Sequence, residues 1–531
     1  MTHRWLLYGA AGLALGLGAA SCGASADEVG SAAPGDWDDA GMNGSGGASD
    51  GGATHDATPP PEQELESSFR TPVVTGTRIW SANPESGRVA VVDANTLEIA
   101  TVQAGFGPTW LTAVPAVDGD TAIVLNVLGH DATLLRAEPG GDYTTRSLPT
   151  HEGANAWAMG EHGRWAVAWT DARLVEQADP TDGFQDITVI RLERGRESAT
   201  RLSVGYRPTQ VVIDRAEARA FVVSDPGVSV IALDGAAPTV TGLVEVTADP
   251  VDDPAARDVS ITPDGELALV RLDGSSDLGL VSLRTGSRRA VTLPAPVTDL
   301  DLGADGTRAV AALRSTSQVA VLDVPSSLDA PPNVELVELP GETFGSVSLS
   351  EDASVALLYT NAVPSDHVSI LELQAGGAPT YRTVSVKTPV QAVFPSPDAA
   401  HAIALQVAGA GSAKAGAFSV IPTRVLRAPK LVGTDAPLTA VAIAPAPSTT
   451  AVVTERDDAK RIFGAYLARM PSLQVDRIPL ASPPMAVGMV PLAKKAFVAQ
   501  EHPDGRITFI DLETGSARTL TGFELGAKIV D

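Results

Sequence analysis

Four acidic side chains in one short stretch, Asp171, Asp179, Asp182 and Asp186, are the first in this sequence whose type and spacing could do chemistry. Loop carboxylates are the hard oxygen donors that Ca²⁺ takes. Their spacing lacks the alternating ligands and central Gly of an EF-hand loop, so a solvated acidic loop is the expectation. Asp249, Asp252, Asp253 and Asp258 form a second group with the same reading. His130, His151 and His162 lie close in sequence, and His367, His401 and His502 follow. A zinc or haem site would need two or three of them to converge. His151-Glu152 lacks the second His of a metalloprotease helix, and surface or internally satisfied histidines are expected. The single Cys, Cys22, permits no internal disulfide and no cysteine zinc site. There is no G-x-S-x-G elbow, no Walker A loop and no dinucleotide fingerprint. No cofactor is expected, and the balance leans away from an enzyme.

The elements that position these residues are strands. From about residue 71 the chain repeats a four-strand unit, clearest in 107–149, 258–294 and 297–340. Each unit is four short runs rich in Val, Leu, Ala and Thr, separated by turns such as Pro263-Asp264-Gly265 and Ala304-Asp305-Gly306. First strands are expected near residues 109, 155, 209, 258, 298, 346, 390, 438 and 485, with a tenth candidate in 527–531. The period of roughly 47 residues is that of a β-propeller blade, too long for a β-solenoid coil and too short for an immunoglobulin-like module. The fold class is all-β: a propeller of four-stranded antiparallel blades, seven to ten with a count near ten. The opening stretch 78–102 reads as strands b, c and d of a blade without strand a. The C-terminus is expected to supply that strand and close the ring.

Composition narrows the partners. Lys and Arg number 38 against 64 Asp and Glu, a net charge of −26, which argues against nucleic acid and anionic surfaces. Residues 1–21 have a short basic start and an apolar run of signal-peptide length. Residues 22–70 are a disordered linker rich in Gly, Ser, Ala, Pro and acidic residues, and 71–531 form the propeller.

In such blades the b–c and d–a connections share one face of the ring, and the a–b and c–d turns share the other. The longer connections fall mostly on the first face, and scaffolds place binding residues on loops. Its candidate binding residues are Asp171, Arg173, Asp179, Asp182, Asp186, Asp366, His367, Arg456, Asp457, Glu501 and His502. All seven Trp lie before residue 170. They are expected to be core fillers, since most sit in strand patterns, with an aromatic platform as the other reading.

Two resemblances add to this. Ala19-Ala20-Ser21-Cys22 resembles the lipobox of bacterial lipoproteins, with Ala where Leu is usual three places before the Cys. The resemblance implies lipidation at Cys22 and anchoring in the cell envelope. Gly23 after the Cys implies the outer membrane of a Gram-negative cell, facing periplasm or cell surface. Ile79-Trp80-Ser81-Ala82-Asn83, then 87–93, 97–102 and Gly105-Phe106-Gly107-Pro108, resemble the YVTN-type β-propeller repeat. The turn recurs in Gly205-Tyr206-Arg207-Pro208. The family implies a propeller and an extracytoplasmic address but no single activity. Asp511 to Gly515 is similar to the D-x-x-T-G turn of quinoprotein propellers without the Trp that follows; a Gly-closed hairpin is the simpler reading. The function expected is a lipid-anchored binding or scaffold module for a protein, peptide or glycan. A lactonase-like or quinoprotein-like enzyme and a structural envelope lipoprotein are the alternatives.

Overall fold

The computed structural model of the chain describes residues 13–14, 72–115, 119–175, 178–179, 181–247, 253–374, 377–446, 449–502, 504–523 and 528–530. Cys22 and the linker, like most of 1–71, lie outside them. The described residues form ten four-stranded antiparallel sheets arranged as a ten-bladed β-propeller. Blades 1 to 10 span 73–103, 108–149, 156–203, 210–244, 257–292, 299–338, 346–385, 390–434, 438–479 and 484–521. Strands a to d of each run outward in chain order, so nine of the expected first strands fall within a residue of their observed starts. The remaining blade departs from expectation. Its strand a is Val73–Thr75, supplied by the N-terminal side and paired with Arg78–Trp80. The C-terminal Lys528–Val530 also reaches this blade, but as a fifth strand outside strand d, parallel to it, with Lys528 opposite Ala100. Leu13–Ala14 pairs with Ala440–Val441 of strand a in blade 9.

The repeat is written in one turn. In blades 3 to 8 five residues link strand a to strand b, and the fourth takes a positive φ: Gly163, Glu217, Gly265, Gly306, Ala353 and Ala399. Its N–H donates to the carbonyl three residues back in every case, as from Gly265 to Thr262 at 2.8 Å. A polar side chain then closes the loop. Asp264 Oδ1 accepts from Glu266 N, Asp305 Oδ1 from Thr307 N, and Asp352 Oδ1 from Ser354 N. These are Asx turns, which the backbone takes because the short carboxylate replaces a missing main-chain partner. Asp511 does the same in the last c–d hairpin, accepting from Thr514 N at 2.7 Å, with Gly515 at φ 75°. The D-x-x-T-G pattern is therefore a structural turn here.

Between blades the strands bury Val, Leu, Ile and Ala, and each neighbouring pair shares an apolar layer. Trp165, Val167 and Ile187 of blade 3 meet Val211, Ala220 and Ile231 of blade 4. The ring closes the same way: Val74, Ile79 and Val92 of blade 1 pack with Val487, Phe497 and Phe509 of blade 10. Burial of large apolar side chains at about 25 cal/mol per Å² is the main force holding blades side by side. Tryptophans serve it, as expected. Trp80 is fully buried and donates from Nε1 to Thr75 Oγ1 at 2.7 Å, while Trp165 and Trp169 are also buried.

Candidate functional site

The face carrying b–c and d–a connections is built by blades of unequal loop length. The b–c connection is 225–226 in blade 4 but 170–185 in blade 3. The opposite face is not uniformly short. The c–d connections 324–332 of blade 6 and 423–429 of blade 8 rival most b–c loops. In blade 9, strands b and c run on to Asp457 and from Ile462, so Arg456 and Asp457 are strand residues rather than loop residues.

The expected site residues fall into three separate groups on the ring, in blade 3, in blade 7 and in blades 9 and 10. In blade 3, Asp171 is buried and caps the short 3-10 turn Ala172–Leu174. It takes Arg173 on both carboxylate oxygens, Nε to Oδ1 at 2.9 Å and Nη2 to Oδ2 at 2.7 Å. Arg173 continues to the carbonyl of Thr209, in the crossing into blade 4, at 3.0 Å. Asp179 accepts from the backbone and hydroxyl of Thr181, which hold its carboxyl below the usual range. Asp182 and Asp186 are exposed. Arg207, at φ 51°, reaches back to the carbonyls of Asp179 and Asp182. Asp253 of the second acidic group caps the turn Pro254–Ala256, and Asp249 and Asp252 lie outside the described residues. Among the described residues no three His, Cys, Asp or Glu side chains gather as metal ligands would.

In blade 7, Asp366 takes the Ser385 hydroxyl at 2.8 Å, with His367 Nδ1 3.0 Å from its other oxygen. Blades 9 and 10 are joined by Arg456 and Glu501 at 2.8 Å; Asp457 pairs with Lys460 at 3.1 Å, and His502 Nδ1 accepts from Asp504 N. Each of these groups is satisfied by a neighbour, which makes it a support for a loop as well as a candidate contact.

Two buried side chains that the sequence did not single out as pins hold d–a crossings of this face. His151 donates from its backbone N–H to Thr188 Oγ1 at 3.0 Å. Its ring joins Thr188 and Thr170 at 3.0 and 3.2 Å. A neutral ring with the proton on Nε2 satisfies this set: Nε2–H donates to Thr170, which donates to Gly153 O, while Nδ1 accepts from Thr188. Burial, reinforced by Arg201 and opposed by Asp186, pushes the imidazole down to about 4. In blade 9, Glu455 is fully buried and accepts from the backbone of Asp435 and Ala436, the hydroxyl of Tyr466 at 3.0 Å and Arg477 Nε at 2.7 Å. Burial and this carboxylate push Tyr466 up to about 12.

The face also exposes two large apolar side chains. Phe106, in the d–a crossing from blade 1 to blade 2, is 78% exposed, and Leu128, in the b–c turn of blade 2, is 75% exposed. They are neighbours: Leu128 and Gly129 both donate to Phe106 O at 3.2 Å, and Val127 donates to Gly107 O at 3.0 Å. Gly107 has φ 68°, and a Cβ there would meet Leu128 Cγ at 2.8 Å, so only Gly lets the two loops lie together. The sequence shows Phe106 as an aromatic between two glycines before a Pro, a signal that reads first as a turn.

No family model matches the chain, and no curated protein sequence matches it. Among solved structures it is similar to a crystal structure of the eukaryotic initiation factor, at 12% identity over 84% of this chain and 96% of that one, with a TM-score of 0.46. It is similar to apo AztD from Citrobacter koseri at 12% identity over 67% and 94%, TM-score 0.40. It is similar to the dihydro-heme d1 dehydrogenase NirN in complex with DHE at 14% identity over 77% and 72%, TM-score 0.40. At these identities and scores the likenesses carry no functional argument, and the propeller rests on the strand pairing itself.

Proposed function

We propose that this chain is a binding or scaffold propeller, tethered to the cell envelope by a lipid on Cys22, that engages a polypeptide partner through its b–c and d–a face. The observation that carries the reading is the exposed Phe106–Leu128 pair, fixed by backbone hydrogen bonds. Large apolar side chains presented on a fixed backbone need no main-chain ordering on binding and anchor protein contacts well. An apolar pair of this kind suits a protein or peptide better than a glycan, which needs more polar donors. The YVTN-like repeat and the lipobox support an extracytoplasmic address, and the linker 23–69 supplies reach on the order of 35–40 Å at about 5–6 Å × √n. The test is capture from an envelope extract by the purified propeller and by its Phe106→Ser/Leu128→Ser variant, with melting curves of both. A reproducible partner lost on the variant at unchanged melting temperature is expected. Equal capture by both would contradict the assignment of the face. A partner-free protein that turns over lactones, or carries a quinone or metal on isolation, would move the reading to the enzyme alternative.

A further inference from the structure

Every blade presents an outer strand d, and an outer strand offers unpaired backbone groups to any other strand. Natural sheets blunt such edges with charge. Eight of the ten outer strands here carry at least one charged side chain, among them Arg146, Arg201, Arg288, Glu335, Arg382, Lys430, Asp476 and Arg518. The two without one are Ile99–Gln103 of blade 1 and Thr239–Val244 of blade 4. The first is covered by the chain's own Lys528–Val530. For the second, no strand pairs with it among the described residues.

We infer that the outer strand of blade 4 is a strand-addition site, filled in trans by an extended, β-branched segment of a partner protein. The edge is exposed along its length, with Val240 at 39% and Leu243 at 49%. Glu245, the next charge in sequence, is engaged by Arg288 of blade 5 at 3.0 Å. A bulge opposite Val230–Ile231 sets Thr241 aside, its hydroxyl donating to Val230 O at 3.1 Å. Beyond it Gly242, Leu243 and Val244 pair without interruption with Val230, Ser229 and Val228. That leaves three regular residues, the same length of edge that blade 1 gives to its added strand at Ala100, Thr101 and Val102. The molecule thus already shows what an uncharged edge of this length takes: a short strand whose backbone completes the ladder. The partner segment is of the Lys-Ile-Val kind, and we assign it to another protein, since the chain's own Lys528–Val530 lies on blade 1.

The probe is a fluorescein-labelled peptide of residues 525–531, LGAKIVD, titrated onto the full chain by anisotropy, with hydrogen exchange read on both edges. Saturable binding is expected, with slowed exchange at 242–244. Leu243→Lys, and separately Val240→Glu, should weaken it at least tenfold without a change in melting temperature, because both side chains are exposed. No saturation, protection confined to 99–103, or equal binding by both variants would overturn the assignment. A dimer of the unliganded chain that Leu243→Lys dissolves would overturn the foreign source and give the edge to a second copy.

Discussion

On one face of the ring, the a–b connections of blades 3 to 8 repeat a single five-residue turn, with the same positive-φ position and the same backbone hydrogen bond. On the other, b–c connections range from 225–226 to 170–185, and d–a crossings are held by buried polar side chains whose chemistry differs from blade to blade: Gln406 and Gln500 in blades 8 and 10, Glu455 in blade 9, each opposite the first residue of strand a, and His151 before blade 3. His151 holds the crossing into blade 3, and Glu455 the crossing into blade 9. The repeated face uses local turn chemistry, which any blade can copy. The other face uses long-range polar pins, at one recurring strand-b position an amide in blades 8 and 10 and a carboxylate in blade 9. Identical turns are what a ring needs for closure, whereas loops of unequal length and pins of differing chemistry give a surface a particular shape. The exposed Phe106–Leu128 pair lies on this second face.

The largest break in this contrast should come from Glu455→Ala. It leaves two backbone N–H groups without an acceptor at a fully buried position, while Arg477, 37% exposed, can turn to solvent. Leaving buried donors unpaired costs about 1–3 kcal/mol each, so a loss of about 2–5 kcal/mol is expected. Denaturant unfolding of wild type and variant measures it. A loss under about 1 kcal/mol would show that the crossing from blade 8 to blade 9 does not depend on this pin.

His151 should give a smaller effect with a definite pH sign. Its folded value, about 4, lies below the ordinary 6.5, so between those values the unfolded chain binds a proton that the folded chain refuses. Stability is full above 6.5 and falls as pH drops towards 4, by up to about 3 kcal/mol, and no further below it. Other acids titrate in the same range, so the comparison is between wild type and His151→Gln at pH 7 and 4.5. The variant should lose the part of the acid sensitivity that the histidine supplies. Identical pH slopes would remove the histidine from the account. A role in shaping the face predicts that partner capture weakens over the same interval.

The smallest effect should come from deleting 524–531. Three added residue pairs on an outer edge are worth about 0.2–1 kcal/mol each, so a loss of about 1–3 kcal/mol is expected. The bare, uncharged Ile99–Gln103 edge should then promote association, visible by light scattering. Collapse of the fold on deletion would mean that the C-terminal strand is integral to closure, and that Val73–Thr75 with the packing between blades 1 and 10 is not sufficient.

Much of the ring is written in the sequence, and the reasons are local. Val, Leu and Ala runs between Asp-Gly turns fix where strands begin, and Thr262-Pro263-Asp264-Gly265 announces its own hairpin. Val73–Thr75 is hard to see because three residues show no alternation and follow a linker. Arg456 and Asp457 look like loop residues because charge at a strand end reads as a turn, yet they pair with Phe463 and Ile462. The site is less legible. Carboxylates clustered in sequence, such as Asp171 and Asp179, prove to serve separate turns, since neighbours in a loop need not face one another. Glu455 and His151 act through contacts about twenty to forty residues away, which no local pattern displays.

The claim that the face of unequal loops meets the partner, and the repeated face does not, is tested most directly by photo-crosslinking. A benzophenone amino acid replaces Phe106 in one protein and Leu492 in another; Leu492 is 74% exposed in an a–b turn of the opposite face. The account predicts a partner adduct from position 106 and none from position 492. Adducts from 492 alone, or equal adducts from both, would contradict it.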